Sequence, residues 1–275
     1  MVSTPRKPLP REGRSYSPAV VEFYDRWTKP FIDGFGTTFQ AGFAKRVANG
    51  REDPTDSSIL LAERAGVARG DRILDAGCGV GGPAIAMARA FEAEVRGFTV
   101  SPVQAVTARR LIAEAGLTDR VSVIIADYHH LPVPDDSFDR VMFLESCGYS
   151  PDRRRLFAEA ARVVRPGGTI YVKDVFRKED PLTPQQRGDL DEFDHLWSLA
   201  SSPSLSEASA ALAEAGCEIE RAGPLPDVGN DRFVGAMFEL AGPTIGLSVL
   251  GKAFYRSFTD LPLFFGEVLA RKFGQ

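Results

Sequence analysis

The feature that most constrains the fold is a glycine-rich stretch at residues 73–84, with the sequence ILDAGCGVGGPA. Its first two residues end an apolar run, which predicts a buried strand. Four glycines between positions 77 and 82 allow positive φ angles and let a ligand approach the backbone closely. Pro83 suits the first turn of a helix, where a missing N–H has no cost. The stretch therefore predicts a strand, a ligand-binding loop and a helix N-terminus with free amides.

The residue types in this loop favour a ligand with a free amino group. Gly77-x-Gly79-x-x-Gly82 also fits the dinucleotide fingerprint, in which loop amides hold a pyrophosphate. Asp75 precedes the first glycine by two residues, and its carboxylate would repel a pyrophosphate but attract an ammonium group. The hydrophobic-Asp-x-Gly-x-Gly-x-Gly pattern resembles motif I of the class I S-adenosylmethionine (SAM) methyltransferases. The resemblance implies that SAM is the cofactor and that these residues bind it: Asp75, Ala76, Gly77, Cys78 and Gly79.

Size and composition predict a single globular enzyme. The chain has 275 residues, of which 44% are hydrophobic, enough for one α/β domain with an added lid or cap. Its 33 basic and 37 acidic residues give a formal charge of −4, which argues against a nucleic-acid partner. Three cysteines cannot all pair, so reduced thiols are expected. No apolar run has membrane-spanning length and no secretory signal is recognisable, so we expect a cytoplasmic protein without membrane insertion.

Residues 1–55 are predicted to form an arm and a helical lid that precede the sheet. Residues 1–13 are rich in proline and basic side chains, which is typical of a disordered arm. Ser17 and Pro18 suit the N-cap and first position of a helix. Aromatic residues follow, interrupted by glycines, and favour a lid over a simply packed helix. They are Phe23, Tyr24, Trp27, Phe31, Phe35, Phe39 and Phe43.

Strands and helices alternate along the next 120 residues. Apolar runs predict strands at 72–75, 94–100, 121–126, 138–144 and 169–175. A helix is predicted before the first strand, at 56–66, and further helices between the strands, at 83–91, 101–116 and 152–165. This alternation predicts an α/β fold with a Rossmann-like, doubly wound, mostly parallel sheet.

Beyond residue 176 the pattern changes to a predicted helical cap over the substrate, spanning 176–262. Its expected elements are a polar segment at 177–202, a helix at 204–216, a strand at 217–222 and an apolar helix at 233–254. A final strand at 263–272 resembles the antiparallel seventh strand of methyltransferase sheets. The predicted domains are therefore 1–55, the arm and lid, and 56–275, the SAM-binding domain with the cap elements.

The carboxyl ends of the predicted strands define the rest of the cofactor site, because ligands of such sheets bind at that edge. The second strand ends at Thr99, with Gln104 one helical turn on, where most SAM and NAD enzymes have an acidic residue. This departure resembles cyclopropane fatty-acid synthases, sterol side-chain methyltransferases and prenyl diphosphate C-methyltransferases, whose Thr or Asn and later Gln serve the ribose. The resemblance implies that Asp127 contacts the adenine amino group and that Tyr24 closes over the methionine end of SAM. Val100 and Tyr128 complete the predicted cofactor site.

The fourth predicted strand ends at Glu145, which is followed by Tyr149. These residues resemble the geranyl diphosphate C-methyltransferases and the sterol enzymes, which methylate an alkene and so produce a carbocation. A carboxylate can stabilise the cation and then remove a proton, and aromatic faces can add to this. The resemblance, which includes the teleocidin-type prenyl-chain methyltransferases, implies C-methylation of a prenyl or terpenoid alkene in secondary metabolism. The cation can then cyclise or lose a proton, with Glu145 and Tyr149 as catalytic residues.

Three other functions remain open at this point. An O- or N-methyltransferase of a small hydrophobic natural product would use His195 as a general base, or proximity alone. A nicotinamide oxidoreductase is disfavoured by Asp75 and Thr99, and a non-catalytic SAM-binding module would leave Glu145 without a purpose.

The expected partner is a small hydrophobic acceptor that is already prenylated and uncharged. The lid and cap are rich in aromatic residues, which suits such a molecule, although the basic run at 153–155 could serve a diphosphate. Three histidines without ligand spacing predict no metal site. An aromatic N-terminal helix on a mobile arm could be exchanged between protomers, so we expect a homo-oligomer.

Overall fold

The computed structural model describes residues 16, 18–38, 40, 47–48, 51–52, 55–179, 181–226 and 263–274. Several predictions made above lie outside these residues. They are the disordered arm at 1–13, the N-cap at Ser17, the aromatic positions Phe39 and Phe43, and the apolar helix at 233–254.

A seven-stranded sheet forms the centre of the molecule, in the order β3-β2-β1-β4-β5-β7-β6. The first five strands pair in parallel, and β7 lies antiparallel between β5 and β6. The prediction of a Rossmann-like, doubly wound, mostly parallel sheet is therefore confirmed. The strands are β1 (Arg72–Ala76), β2 (Glu94–Thr99), β3 (Val121–Ile125), β4 (Phe138–Leu144), β5 (Val164–Arg177), β6 (Cys217–Pro224) and β7 (Leu263–Lys272).

Seven helices accompany the sheet in the described part of the chain. Most begin where a short polar side chain can cap free backbone amides, as Ser101, Asp152, Thr183 and Ser204 do. Two short strands, Val47–Ala48 and Arg51–Glu52, pair with each other outside the sheet. The helices are α1 (Pro18–Phe35), α2 (Thr55–Arg64), α3 (Gly82–Phe91), α4 (Pro102–Glu114), α5 (Arg153–Val163), α6 (Pro184–Leu196) and α7 (Leu205–Glu214).

The start of β5 differs from the prediction, which placed a helix at 152–165 and a strand from 169. Instead, α5 ends at Val163 and β5 begins at once. Pairing with β4 jumps from Phe138↔Val164 to Arg140↔Thr169, so the intervening residues bulge out of the ladder. Gly167 has φ +74, and a Cβ at Gly168 would lie 2.7 Å from a carbonyl oxygen. The glycines thus permit a bulge inside a strand, where the sequence suggested a break between elements.

Apolar layers cover both faces of the sheet. Leu74 and Phe143 belong to one buried cluster, and Ile73 and Met142 to the other, because successive strand residues point to opposite faces. Central strands such as β1 are therefore buried along most of their length. Within the described ranges, no helix combines the length and the apolar character needed to cross a membrane.

Candidate functional site

A cavity of about 260 Å³ opens at the carboxyl ends of the central strands. It lies where the strand order reverses, between β1 and β4, the usual ligand position in open α/β sheets. Side chains of α1 and of the segment around the end of α6 complete its walls. Both the predicted lid helix and the predicted cap therefore contribute to the cavity.

The glycine loop after β1 forms one wall, and two of its glycines, Gly77 and Gly82, have no space for a side chain. Gly77, Gly79 and Gly81 have positive φ angles. A Cβ at Gly77 would lie 2.5 Å from the Cβ of Ser146, and one at Gly82 would overlap the carbonyl oxygen of Thr37. The loop therefore packs tightly between the turn after β4 and the segment after α1.

Asp75 is the most unusual polar group of this wall. Its side chain is only 1% exposed, and its Oδ2 atom has no hydrogen-bond partner among the described residues. Burial raises the pKa of Asp75 to about 7. An unpartnered carboxylate oxygen in a cavity wall is suited to a ligand's ammonium group.

The predicted pair at the end of β2 forms in the structure. The hydroxyl of Thr99 donates to Oε1 of Gln104 at 2.7 Å, and both side chains are buried. The backbone N–H of Ser101 donates to the same hydroxyl at 3.2 Å. Thr99, Val100 and Gln104 all line the cavity, whereas Ala76, which was also predicted to bind the cofactor, does not.

Asp127 and Tyr128 line the cavity beyond β3. Oδ1 of Asp127 accepts from the backbone N–H of His129 at 2.9 Å and contacts its Nδ1 at 2.7 Å. Nε2 of His129 lies 2.7 Å from the hydroxyl of Ser150. His129 is buried, so this histidine, to which the sequence gave no role, orients the Asp127 carboxylate. The hydroxyl of Tyr128 donates to the carbonyl of Ser146 at 2.9 Å.

Glu145 follows β4 and lines the cavity in a strained backbone conformation, with φ +58. Its backbone N–H donates to the carbonyl of Lys173 at 2.7 Å, and its carboxylate forms an ion pair with the Lys173 ammonium. The Lys173 side chain is fully buried, whereas that of Glu145 is 25% exposed. The Lys173 ammonium also lies 5.2 Å from the ring centre of Phe265. The carboxylate thus faces the cavity with a buried cation beneath it.

Asp174, the residue after Lys173, also lines the cavity. Its Oδ2 accepts from the backbone amides of Cys147 at 3.0 Å and Gly148 at 3.4 Å. Burial raises the pKa of this carboxyl group. Sequence reasoning missed both Lys173 and Asp174. A pair of charged residues in the middle of an otherwise apolar strand was the available signal.

Two tyrosines join the lid helix to the turn after β4. The hydroxyl of Tyr24 donates to that of Tyr149 at 2.6 Å, and their ring centres are 5.5 Å apart. Both line the cavity. Burial raises the pKa of each phenol above its ordinary value, so both act as neutral hydroxyl groups.

Aromatic rings from α1 and from the end of α6 meet at the same part of the cavity. Phe31 stacks on Trp197, with ring centres 6.2 Å apart and planes 14° from parallel. Phe193 lies 6.5 Å from Trp197, and all three line the cavity. His195 is exposed and does not line it, so a catalytic role for this residue gains no support from the geometry and stays a prediction.

The cavity therefore has two parts. The glycine-loop half comprises Asp75, Gly77, Cys78, Gly79, Thr99, Val100, Gln104, Asp127 and Tyr128; the aromatic half comprises Tyr24, Phe31, Glu145, Tyr149, Asp174, Phe193 and Trp197. Over the described ranges, no group of three His, Cys, Asp or Glu side chains is placed to hold a metal ion. Arg153 and Arg154 contact Ser201 and Glu214 instead of lining the cavity.

Comparison with known proteins identifies relatives over most of the chain. A profile of the methyltransferase domain family matches residues 74–172. The chain is 35% identical over 222 residues to the 27-O-demethylrifamycin SV methyltransferase of Amycolatopsis mediterranei, covering 78% of this chain and 77% of that protein. It is 31% identical over 208 residues to a sterol 24-C-methyltransferase of Eremothecium gossypii, covering 74% and 54%.

Other similarities are more local or concern only the fold. The chain is 48% identical over 115 residues to methyltransferase GfsG of Streptomyces halstedii, covering 42% of this chain and 41% of that protein. It thus spans only about half, or less, of the length of GfsG and of the sterol enzyme. A structure of geranyl diphosphate C-methyltransferase from Streptomyces coelicolor superposes with a TM-score of 0.75, at 19% identity and covering 96% of this chain and all of that one. At that identity the likeness shows the fold.

Proposed function

The chain belongs to the class I SAM-dependent methyltransferases, and from this premise we propose that it methylates an alkene carbon of a prenyl or terpenoid chain. The acceptor in this proposal is a small hydrophobic natural product. The observation that carries the proposal is Glu145, a carboxylate in the wall of a cavity whose neighbouring wall is aromatic. This pairing of charge and ring faces suits a reaction that passes through a cation on carbon.

The glycine-loop half fits SAM by its own chemistry. In this proposal the unpartnered oxygen of Asp75 takes the amino group of SAM, Thr99 and Gln104 take the ribose hydroxyls, and Asp127 takes the adenine amino group. Gly77 and Gly79 line the cavity without a side chain, so the cofactor can lie against the backbone there. When bound, SAM supplies an electrophilic methyl group.

Glu145 would act on the acceptor in two ways. Addition of a methyl group to an alkene leaves a positive charge on the neighbouring carbon, and the carboxylate stabilises that charge. The same carboxylate can then accept a proton from an adjacent carbon, which restores a double bond. A well-placed base contributes about a hundred- to ten-thousand-fold to rate. The ion pair with Lys173 holds the carboxylate in place.

We further propose that α1 acts as the lid of the SAM-binding domain. Tyr24 contacts Tyr149 across the cavity, and the backbone of Thr37 lies directly on Gly82 at the start of α3. A lid in this position would exclude water, which would otherwise capture a cation before the proton is lost.

An uncharged acceptor suits the cavity better than a diphosphate. No Arg or Lys side chain lines it within the part of the chain that is described, whereas Glu145 and Asp174 do. A diphosphate needs basic partners and would be repelled by carboxylates. Relatives named for C-methylation, such as the sterol 24-C-methyltransferase, are consistent with a hydrophobic acceptor.

O-methylation is the second candidate. It is favoured by the 35% identity to the 27-O-demethylrifamycin SV methyltransferase, whose name indicates an oxygen acceptor. The alignment covers 77% of that enzyme. In that case Glu145 would be dispensable, and proximity of the acceptor hydroxyl to the methyl group would carry more of the rate.

Methyl-deuterated SAM separates the two candidates. The enzyme is incubated with prenylated aromatics, prenyl diphosphates, sterols and phenols, and products are analysed by mass spectrometry and NMR. Label on a former alkene carbon would support the proposal. Label found only on oxygen or nitrogen would overturn it, while leaving the assignment to the methyltransferases intact.

A cytoplasmic location and a homo-oligomeric state stay predictions. Light scattering coupled to size-exclusion chromatography would measure the assembly directly. A monomer at micromolar concentration would contradict the predicted exchange of N-terminal helices.

A further inference from the structure

Two adjacent residues of α1 make hydrogen bonds in different directions, one to the aromatic half of the cavity and one to the start of α4. Tyr24 reaches Tyr149 in the aromatic half. Asp25 reaches the start of α4, where its Oδ1 accepts from the hydroxyl of Ser101 at 2.5 Å and from the backbone N–H of Val103 at 3.4 Å. Asp25 does not line the cavity. Any influence of Asp25 on a bound molecule therefore passes through other residues.

Ser101 continues the contact towards the cofactor site. Its hydroxyl caps α4 by accepting from the backbone N–H of Gln104 at 3.0 Å, and its own N–H donates to the Thr99 hydroxyl. Thr99 in turn donates to the Gln104 side chain. An unbroken set of hydrogen bonds thus runs from Asp25 on the lid helix to two residues in the cavity wall, Thr99 and Gln104.

The charge of Asp25 suits this position. Free backbone amides at a helix N-terminus carry partial positive charge, which a carboxylate stabilises. A hydrogen bond with an ionised partner is also stronger than one between neutral groups. The carboxylate of Asp25 is therefore well suited to hold α1 against the start of α4.

We propose that Asp25 is a positioning residue that couples the closure of α1 to the binding of SAM. With α1 closed, Asp25 fixes Ser101 and hence the Thr99–Gln104 pair in the geometry that receives the cofactor. By linkage, a cofactor that stabilises that geometry must stabilise the closed position of α1 by the same factor. The coupling depends on cofactor binding alone, so it holds whichever atom of the acceptor is methylated.

The first test measures the affinity for S-adenosylhomocysteine (SAH) by calorimetry, which needs no acceptor. Asp25→Ala is expected to weaken SAH binding about tenfold, within the usual range of coupling between sites. Asp25→Asn, which keeps an acceptor oxygen but no charge, should fall in between. Glu22→Ala is the matched control, because Glu22 is an exposed acid on the same helix, and its affinity should stay within about twofold of wild type.

A second variant tests the route through Ser101. In a Ser101→Ala background the partner hydroxyl is gone, so Asp25→Ala should weaken SAH binding by no more than about twofold further. If the loss of SAH affinity in the double variant equals the product of the losses in the two single variants, the proposal is overturned. Unchanged SAH affinity in Asp25→Ala alone would overturn it as well.

Hydrogen exchange distinguishes coupling from a purely structural contact. In the wild type and in Glu22→Ala, SAH should slow amide exchange in α1. In Asp25→Ala, SAH should no longer slow it. If Asp25→Ala speeds exchange in α1 but SAH still slows it as much as in the wild type, Asp25 only anchors the helix and the proposal is wrong. The proposal would also be overturned if Asp25→Ala bound SAH more weakly but SAH still slowed exchange in α1 to the wild-type extent, because Asp25 would then act only as a cap of α4.

Discussion

The two halves of the cavity are built in different ways. The glycine-loop half comes largely from short continuous segments of the chain, such as 75–79 and 99–104. The aromatic half is assembled from side chains that are far apart in sequence. Tyr24 and Tyr149 are separated by 125 positions and Glu145 and Lys173 by 28. The first half can bind a common cofactor, whereas the second can be varied residue by residue to suit one acceptor.

The two halves also differ in whether a buried carboxylate already has a partner in the protein. Asp75 leaves one carboxylate oxygen without a partner among the described residues, so its charge is balanced only when a ligand binds. Glu145 is already paired with Lys173, so the charge of this carboxylate is balanced before an acceptor arrives. A substitution in the glycine-loop half should therefore lower cofactor affinity, whereas a substitution in the aromatic half should lower the rate.

Glu145→Gln should give the largest effect and should leave cofactor binding intact. With an alkene acceptor, we expect kcat to fall about a hundred- to ten-thousand-fold, because the base and the cation-stabilising charge are both lost. The affinity for SAH should change by less than about threefold, since Glu145 lies outside the glycine-loop half. Turnover assays and calorimetry measure the two quantities.

Two controls accompany this variant. Glu192→Gln alters an exposed acid on α6 and should leave kcat unchanged. The pair Glu145→Gln with Lys173→Met tests folding, because Lys173 would otherwise remain buried beside a neutral partner. The double variant should be at least as stable to heat as Glu145→Gln and equally slow. Near-normal turnover by Glu145→Gln would remove the basis of the cation mechanism.

Asp75→Asn should give the next largest effect, on the cofactor. SAH binding is expected to weaken about ten- to a hundredfold, because a charged hydrogen bond to the ligand's ammonium group is replaced by a neutral one. Since burial raises the pKa of Asp75 to about 7, wild-type affinity should increase as pH rises through this value. The Asn variant should show no such increase. A wild-type affinity that is flat with pH would contradict this role.

The stability of the ligand-free protein should depend on pH in the opposite sense. Asp75 has a folded-state pKa of about 7 against an ordinary value of 3.8, so the folded protein holds a proton that the unfolded chain releases between these values. The free energy of unfolding therefore falls as pH rises through this window. In thermal unfolding, the melting temperature of Asp75→Asn should rise relative to that of the wild type as pH increases from about 4 to about 7.

The sequence predicts the glycine-loop half well because its signals are local. The strands at 138–144 and 263–272 have the predicted bounds, since each is a largely apolar run that stands out from its surroundings. The ten predicted cofactor residues other than Tyr24 lie in the segments 75–79, 99–104 and 127–128, and nine of them, all but Ala76, line the cavity. The residue types of a turn motif determine the backbone conformation of that turn, so a short segment of sequence is enough to recognise it.

The sequence predicts the aromatic half less well because its partners meet only in the folded chain. Glu145 and Tyr149 were found through resemblance, but the ion pair with Lys173 and the contacts of Asp174 depend on the pairing of β4 with β5. The exposed position of His195 depends on how α6 is rotated. Neither pairing register nor helix rotation can be read from a single local pattern.

Tyr24→Phe should have a smaller effect that belongs to the aromatic half. It removes the hydroxyl bond to Tyr149 but keeps the ring, so we expect a loss of about three- to tenfold in kcat/KM for the acceptor. Tyr16→Phe is a suitable control, because it removes another phenol near the cavity for which no hydrogen bond is expected to be lost. Equal losses in both variants would argue against a specific contact between the lid and the turn after β4.

Thr99→Val should have the smallest effect, because the glycine-loop half spreads its contacts over many backbone groups. The substitution keeps the shape of the side chain and removes its bonds to Gln104 and Ser101. One neutral hydrogen bond contributes about 1 kcal/mol, so SAH affinity should fall about fivefold with kcat unchanged. Thr107→Val is the matched control, because Thr107 does not line the cavity and the substitution also removes one hydrogen bond, to the carbonyl of Val103. A loss of kcat without a loss of affinity would mean that the two halves are not separable, since a contact at the ribose position would then control the chemistry at Glu145.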